Sequence, residues 1–229
     1  MKFFLFLIFI FLSPICNALQ IDRTSLAYSH NSNIETINIR NNSSEAKSYQ
    51  ASVYVWQDTN RRHQVKTFDL FPSPTVFTIS AHGSQSIRVG LFTKNHSQDV
   101  KGYRLEIQQL PQNELMSKNI NTGMQVLYSV NIPVVVFPKQ PLNTQWHWNY
   151  LKNSHQLVFT NTGNSIISFK KCLFTDDHGV THKPKQRVAY VFPGQTLHIS
   201  TPADKKITSI SQSIYDFKRQ TSKTITLPQ

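Results

Sequence analysis

Short runs rich in Val, Ile, Thr, Tyr and Phe recur along the whole chain, each closed by a cluster of Asn, Ser, Gly or Pro, and no stretch repeats apolar residues at helical spacing. Branched and aromatic side chains suit the pleated, half-buried surface of a sheet, and the polar clusters supply turn geometry. The chain therefore reads as all-β. Strands are expected near Gln20–Tyr28, Ile34–Arg40, Ser48–Gln57, Thr75–Ile79, Ser84–Leu91, Gly102–Gln109 and Met124–Phe137. After "FPKQPL" (Phe137–Leu142) the rhythm restarts, near Thr144–Tyr150, Gln156–Thr160, Ile166–Phe174, Arg187–Phe192, Thr196–Ile199, Ile207–Asp216 and Ser222–Leu227. Seven strands on each side suit two immunoglobulin-like β-sandwich domains, and Pro138 and Pro141 make a short, stiff elbow between them. At 229 residues the chain is long enough for both.

The first eighteen residues, "MKFFLFLIFIFLSPICNA", place Lys2 before an unbroken apolar run, then Pro14 and small residues up to Ala18. This is the pattern of a secretory leader, with cleavage expected between Ala18 and Leu19, and the run is too short to span a bilayer. Ile15 before Cys16 argues against lipidation. The expected division is leader 1–18, first domain 19–138 and second domain 139–229. Only Cys172 remains after the leader, so no intrachain disulfide is expected and the cores must hold the fold.

A formal net charge of +12 implies an anionic partner. Export, and basic residues that never run longer than two, argue against nucleic acid and for a mildly acidic protein. Catalysis finds little support. There is no GxSxG elbow and no glycine-rich phosphate loop, and the chain holds only seven glycines. "DDHGVTH" (Asp176–His182) brings acid and imidazole groups together, but Asp, His and Gly between two strands read as a polar hairpin turn rather than a metal site. In "WHW" (Trp146–Trp148) the two indoles share a strand face suited to a core, with His147 opposite. No enzyme activity, cofactor or metal is expected.

"YQASVYVWQD" (Tyr49–Asp58), "LFPSPTVFTISAHGSQSIRVGL" (Leu70–Leu91) and "YRLEIQQLP" (Tyr103–Pro111) resemble, in order and spacing, the first domain of periplasmic pilus-assembly chaperones. "SPTVFTI" followed by a turn and "SQSIRVGL" is most similar to the archaic branch, which serves spore-coat-U-like pili, rather than to the PapD branch. "LVFTNTGNS" (Leu157–Ser165) and "YVFPGQTLHIS" (Tyr190–Ser200) extend the resemblance into the second domain. The resemblance implies two immunoglobulin-like domains in an L-shaped or boomerang arrangement. It also implies a periplasmic chaperone that stabilises incomplete pilin subunits by donor-strand complementation and delivers them to an outer-membrane usher. Free chaperone edges can also pair with a second copy. The alternative reading is a secreted two-domain adhesive or binding module.

In "GMQVLYSVNIPVVVFP" (Gly123–Pro138), Met124, Val126, Tyr128, Val130 and Ile132 share one strand face, and no charge interrupts Gly123–Phe137. An uninterrupted apolar edge is an aggregation liability unless a partner covers it. The resemblance makes these five the donor residues, with Val134 and Val136 left to the domain's own packing. It also implies a basic anchor for the subunit's terminal carboxylate. The better-known branch carries Arg and Lys where Ser25 and Pro133 align, so the anchor candidates here are Arg104, in "YRLEI", then Arg23 and Lys139.

Overall fold

In Ile34–Asn41 the buried side chains are Ile37, Ile39 and Asn41, every second residue, and the same alternation in Lys47–Val55 buries Tyr49, Ala51 and Val53. Each strand thus turns one face inward, which forces a second sheet to cover it. The computed structural model describes residues 19–57, 65–111, 126–184 and 190–227, apart from the side chain of Lys170. The expected leader, at 1–18, lies outside the described residues.

The strands are β1 (Leu19–Ile21), β2 (Leu26–Tyr28), β3 (Ile34–Asn41), β4 (Lys47–Val55), β5 (Val65–Lys66), β6 (Leu70–Ser73), β7 (Val76–Ile79), β8 (Ser84–Leu91), β9 (Lys101–Gln109) and β10 (Ser129–Val136). They form two sheets, ordered β1-β3-β8-β6 and β2-β10-β9-β4-β5, with β7 also on β4. Beyond them come β11 (Trp146–Leu151), β12 (Gln156–Asn161), β13 (Ile167–Asp176), β14 (Thr181–His182), β15 (Tyr190–Val191), β16 (Thr196–Ser200), β17 (Ile207–Tyr215) and β18 (Gln220–Thr226). These make sheets ordered β11-β12-β16 and β14-β13-β17-β18, with β15 on β13. The chain is all-β, two immunoglobulin-like sandwiches in sequence.

One expected strand divides. Gln20–Tyr28 becomes β1, antiparallel to β3 in one sheet, and β2, parallel to β10 in the other. Asp22 marks the departure: its Oδ1 accepts the Asn38 N–H at 2.9 Å and its Oδ2 accepts the Asn38 side-chain amide at 2.7 Å, so the chain leaves the first sheet at a fixed point. Three short strands, β5, β6 and β14, were not expected, because two to four residues carry too little alternation to read. The "DDHGVTH" segment is the β13–β14 hairpin turn. Asp176 Oδ1 accepts the N–H groups of His178 and Val180, its Oδ2 meets His182 Nε2 at 2.8 Å, and Gly179 takes φ 77°. Ligand atoms of Asp176, Asp177 and His178 do approach within 4.8 Å, yet both Asp176 oxygens are already spent on the turn.

The first core lies between its sheets around Tyr28, Ile37, Ile87, Leu105 and Ile107. The second gathers Leu157, Phe159, Phe174, Ile199 and Ile210, and Trp146 and Trp148 pack on it from β11. A third cluster joins the two sandwiches: Trp56, Val135 and Phe137 meet Ile166, Phe192 and Phe217. Gly102 makes that approach possible, since a Cβ there would stand 2.9 Å from Ile166 Cδ1 and 3.0 Å from Phe192 Cε1.

Three loops share one wiring. Asn41, Asn95 and Asn161 are buried, and in each the amide oxygen accepts the N–H two residues on, from Ser43, Ser97 and Gly163. In each the amide nitrogen donates to the carbonyl four residues on and to a distant strand: Glu45 and Ile79, Asp99 and Val136, Ser165 and Val191. The side chain closes its own loop and ties it across the sandwich. Asn161→Ala orphans two buried carbonyls and should cost about 1–3 kcal/mol in urea unfolding followed by tryptophan fluorescence. Exposed Asn153→Ala should stay within about 0.5 kcal/mol.

Candidate functional site: an open strand end beside an interdomain cleft

Along β10 the side chains divide cleanly by parity. Ile132, Val134 and Val136 point into the first core, and Val130 packs at its margin. On the same parity beyond the strand's start, Tyr128 and Val126 emerge, 55% and 65% exposed. The expectation for Ile132 is corrected: at 2% exposed it belongs to the chain's own core, because β9 and the facing sheet still cover the strand at that point. Met124 lies outside the described residues. The apolar face is thus one continuous stripe, sheltered by the sandwich at its C-terminal end and open at its N-terminal end.

The backbone follows the same gradient. Residues Ser129 to Val136 all pair with β9, but β2 reaches only Val134, Val135 and Val136. From Ser129 to Pro133, β10 is the edge of its sheet, and no described strand pairs with its outer side. Beside the exposed stripe a hollow of about 270 Å³ opens between Leu19, Tyr49, Gln109, Val126 and Tyr128. An extended apolar segment could lie along this edge, with its side chains against Val126, Tyr128 and Val130.

The other parity builds the cleft. Asn131 and Pro133 of β10, Arg104 of β9, Trp56, Tyr190 and Tyr215 line a cavity of about 250 Å³ between the sandwiches. Ser25 lines it too, so Ser25 and Pro133, which align with basic positions in the better-known branch, stand beside Arg104. Pro133 is directly across the ladder from Arg104. The Arg104 guanidinium carbon sits 5.0 Å from the centre of the Trp56 ring, an arrangement that orients the charge at the cleft.

The three anchor candidates separate. Arg104 lines the cleft. Arg23 is turned the other way, its Nη1 2.9 Å from Glu35 Oε2 on β3. Lys139 is exposed on the elbow and is not among the cleft-lining residues. Trp56, which buries its ring at 3% exposure and meets Phe192 edge-on at 5.0 Å, was not anticipated as part of the site. Its position at the end of an alternating run was the available signal. Behind the cleft, Asp216 accepts hydrogen bonds from Thr144 Oγ1 at 2.6 Å and from the N–H groups of Lys218 and Arg219. Burial is the largest single influence and opposes its charge, but these donors and Arg219 together hold the carboxyl below its ordinary value. Two further exposed aromatics, Phe71 and Phe92, touch at 4.7 Å on the outer face of the first sheet, the opposite side of the sandwich from Arg104.

Asp216 gives a pH dependence of definite sign. Its folded pKa is lowered, so the stabilisation is fully present above the unfolded value of about 3.9 and is lost as pH falls through the folded value. Asp216→Asn should therefore be less stable than wild type at pH 7, with the gap closing below about pH 4 in paired thermal melts.

The fold is shared with solved chaperones. The Escherichia coli chaperone DraB superposes with TM-score 0.69 at 15% identity, over 92% of this chain and 98% of that one. The SafB chaperone with SafA pilin, from Salmonella enterica, gives 0.69 at 14% identity, over 92% and 96%. The CsuC–CsuE chaperone–tip subunit complex from archaic Csu pili of Acinetobacter baumannii gives 0.66 at 15%, over 90% and 97%. No curated protein sequence matches the chain. Residues 18–141, more than half of the chain, match the family described as pili and flagellar-assembly chaperone, PapD N-terminal domain, and the chain belongs to that non-enzymatic family.

Proposed function

We propose that the chain is a periplasmic chaperone of chaperone–usher pilus biogenesis. It holds incomplete pilin subunits by donor-strand complementation and passes them to an outer-membrane usher. The observation that carries this reading is the approach to β10, where Val126 and Tyr128 are exposed on the apolar parity, and the edge Ser129–Pro133, on whose outer side no described strand pairs. Burying a large apolar side chain from water stabilises by about 1.5–3 kcal/mol, so Val126, Tyr128 and Val130 favour any client that supplies a matching groove. An incomplete sandwich supplies such a groove, and an added strand also completes its ladder. The solved SafA–SafB and CsuC–CsuE complexes are chaperone–subunit pairs, which supports a pilin as partner here. We place the donor strand in a first domain, 19–138, ahead of a second, 139–229, with the leader removed at Ala18. The Tyr103–Arg104 pair supports assignment to the archaic branch.

In this reading Arg104 holds the terminal carboxylate of the client. Its position next to Trp56, at the foot of the cleft and across the ladder from Pro133, supports that role over Arg23, which faces Glu35. The Phe71–Phe92 face stays free when a client occupies the cleft and β10, so it is the surface offered to the usher. The same open edge can pair with a second copy when no client is present.

Co-expression with a candidate pilin subunit and recovery of the complex tests each part. Val126→Asp puts a carboxylate into the client's dry groove and should abolish capture while leaving the thermal midpoint of the free chaperone unchanged. Leu127→Asn, on the other parity, should be tolerated. Equal loss from both would return β10 to a purely structural role and favour a binding module without a pilin client. Arg104→Ala should leave the fold within about 1 kcal/mol yet weaken capture by about 2–5 kcal/mol, with Arg104→Lys recovering part. Wild-type affinity in Arg104→Ala would remove Arg104 from the anchor. Phe92→Ser should preserve pilin capture and lose usher co-purification; retained usher binding would show that this face is not the contact.

A further inference from the structure

At the end of the second sandwich away from the cleft, the short turn Lys152–Ser154 and the loop 201–206 stand apart around a cavity of about 330 Å³. Strand β17 starts at this cavity, with Ile207, and ends at the cleft, with Tyr215, a run of roughly 27 Å at sheet rise. Nothing in client capture calls on this end of the molecule.

The cavity has an apolar floor and a charged rim. Ile207 and Leu227 are buried, and the Tyr150 ring half-buried, at its base. Lys152, Lys205 and Lys206 are exposed around its mouth, and among the described lining residues the one carboxylate is Asp204, 3.8 Å from Lys205 Nζ. In the wall, His155 takes the left-handed conformation at φ 49°, and its carbonyl accepts both the Thr201 N–H at 2.9 Å and the Thr201 hydroxyl at 3.0 Å. Its ring Nδ1 is sealed from solvent and has no hydrogen-bond partner among the described residues.

We propose that this cavity binds a small amphipathic anion, a short alkyl chain carrying a carboxylate or phosphate head. The chain lies over Ile207 and Leu227, and the head sits among Lys152, Lys205 and Lys206. The size suits one such molecule, since ligand cavities begin at about 300 Å³. A lone inorganic anion would leave the apolar floor unused, and a purely apolar molecule would make no use of the lysine rim, where Asp204 meets Lys205. The exposed members of the lining are lysines, Asp204 and Ala203, so the lining offers no large apolar side chain to enter a bilayer. The amphiphile enters the protein rather than the protein entering a membrane.

Isothermal titration of the purified exported chain with decanoate, decyl phosphate and inorganic phosphate tests the site. Both alkyl anions should bind with one-to-one stoichiometry, and inorganic phosphate at least about tenfold more weakly. Ala203→Trp, at an exposed position, should stay folded by circular dichroism and abolish binding by blocking the mouth. The double variant Lys205→Glu, Lys206→Glu should weaken binding by about tenfold or more. Val126→Asp should bind as wild type, because the donor strand is not the site. The proposal is overturned if neither alkyl anion binds at millimolar concentration, if inorganic phosphate binds as tightly as decyl phosphate, or if Ala203→Trp still binds. Loss of binding in Val126→Asp, or capture only by phosphatidylglycerol vesicles, would overturn it equally, by moving the contact to the donor strand or to a lipid surface.

Discussion

A strand has two faces and no more, and β10 with the residues leading into it commits one of them to apolar side chains from Val126 to Val136. Water penalises every uncovered member of that stripe, so each needs a neighbour. The sandwich provides neighbours as far as Ile132 and, at the margin, Val130. Beyond that point the chain extends further than its own core can follow. The same residues thus solve a folding problem at one end and pose a binding problem at the other, and the parity rule prevents the chain from separating the two.

The opposite parity has a different occupation. Asn131 and Pro133 border the cleft, and Val135 plugs the junction between the sandwiches. Arg104 is held among aromatic rings there: Trp56 beneath it, Tyr190 and Tyr215 across the cavity. Those rings exclude water from one side of the guanidinium and so strengthen its attraction for a carboxylate. One strand therefore borders an apolar edge and a charged cleft within a few residues of each other.

The strands were legible because alternation of period two survives in a single sequence. The limit of the open stripe was not: Ile132 and Val126 have the same parity and similar chemistry, and only the height of the covering sheet tells them apart. The "YR" pair drew attention to Arg104, which lines the cleft, whereas the bond from Arg23 to Glu35 spans twelve positions and leaves no local trace. The split of Gln20–Tyr28 hid for the same reason, since Asp22 is fixed by Asn38, sixteen residues on. The three buried asparagines resisted reading because their loops share wiring but few letters: "NNSSE", "NHSQD" and "NTGNS". The lysines around Ile207 looked like scattered surface charge until the fold brought Lys152 beside Lys205 and Lys206.

Gly102 lies at the pivot of the molecule, facing Ile166 and Phe192 across the junction at distances that leave no room for a methyl group. The strands on either side are eight or more residues long in β9, β10, β13 and β17, which makes each sandwich a lever arm of roughly 27 Å or more. A wedge of an ångström at the pivot is magnified along such arms into several ångströms at their tips. The mutual bearing of the edge at Val126 and Tyr128 and the tip that carries the lysine-rimmed cavity is therefore set by one missing side chain.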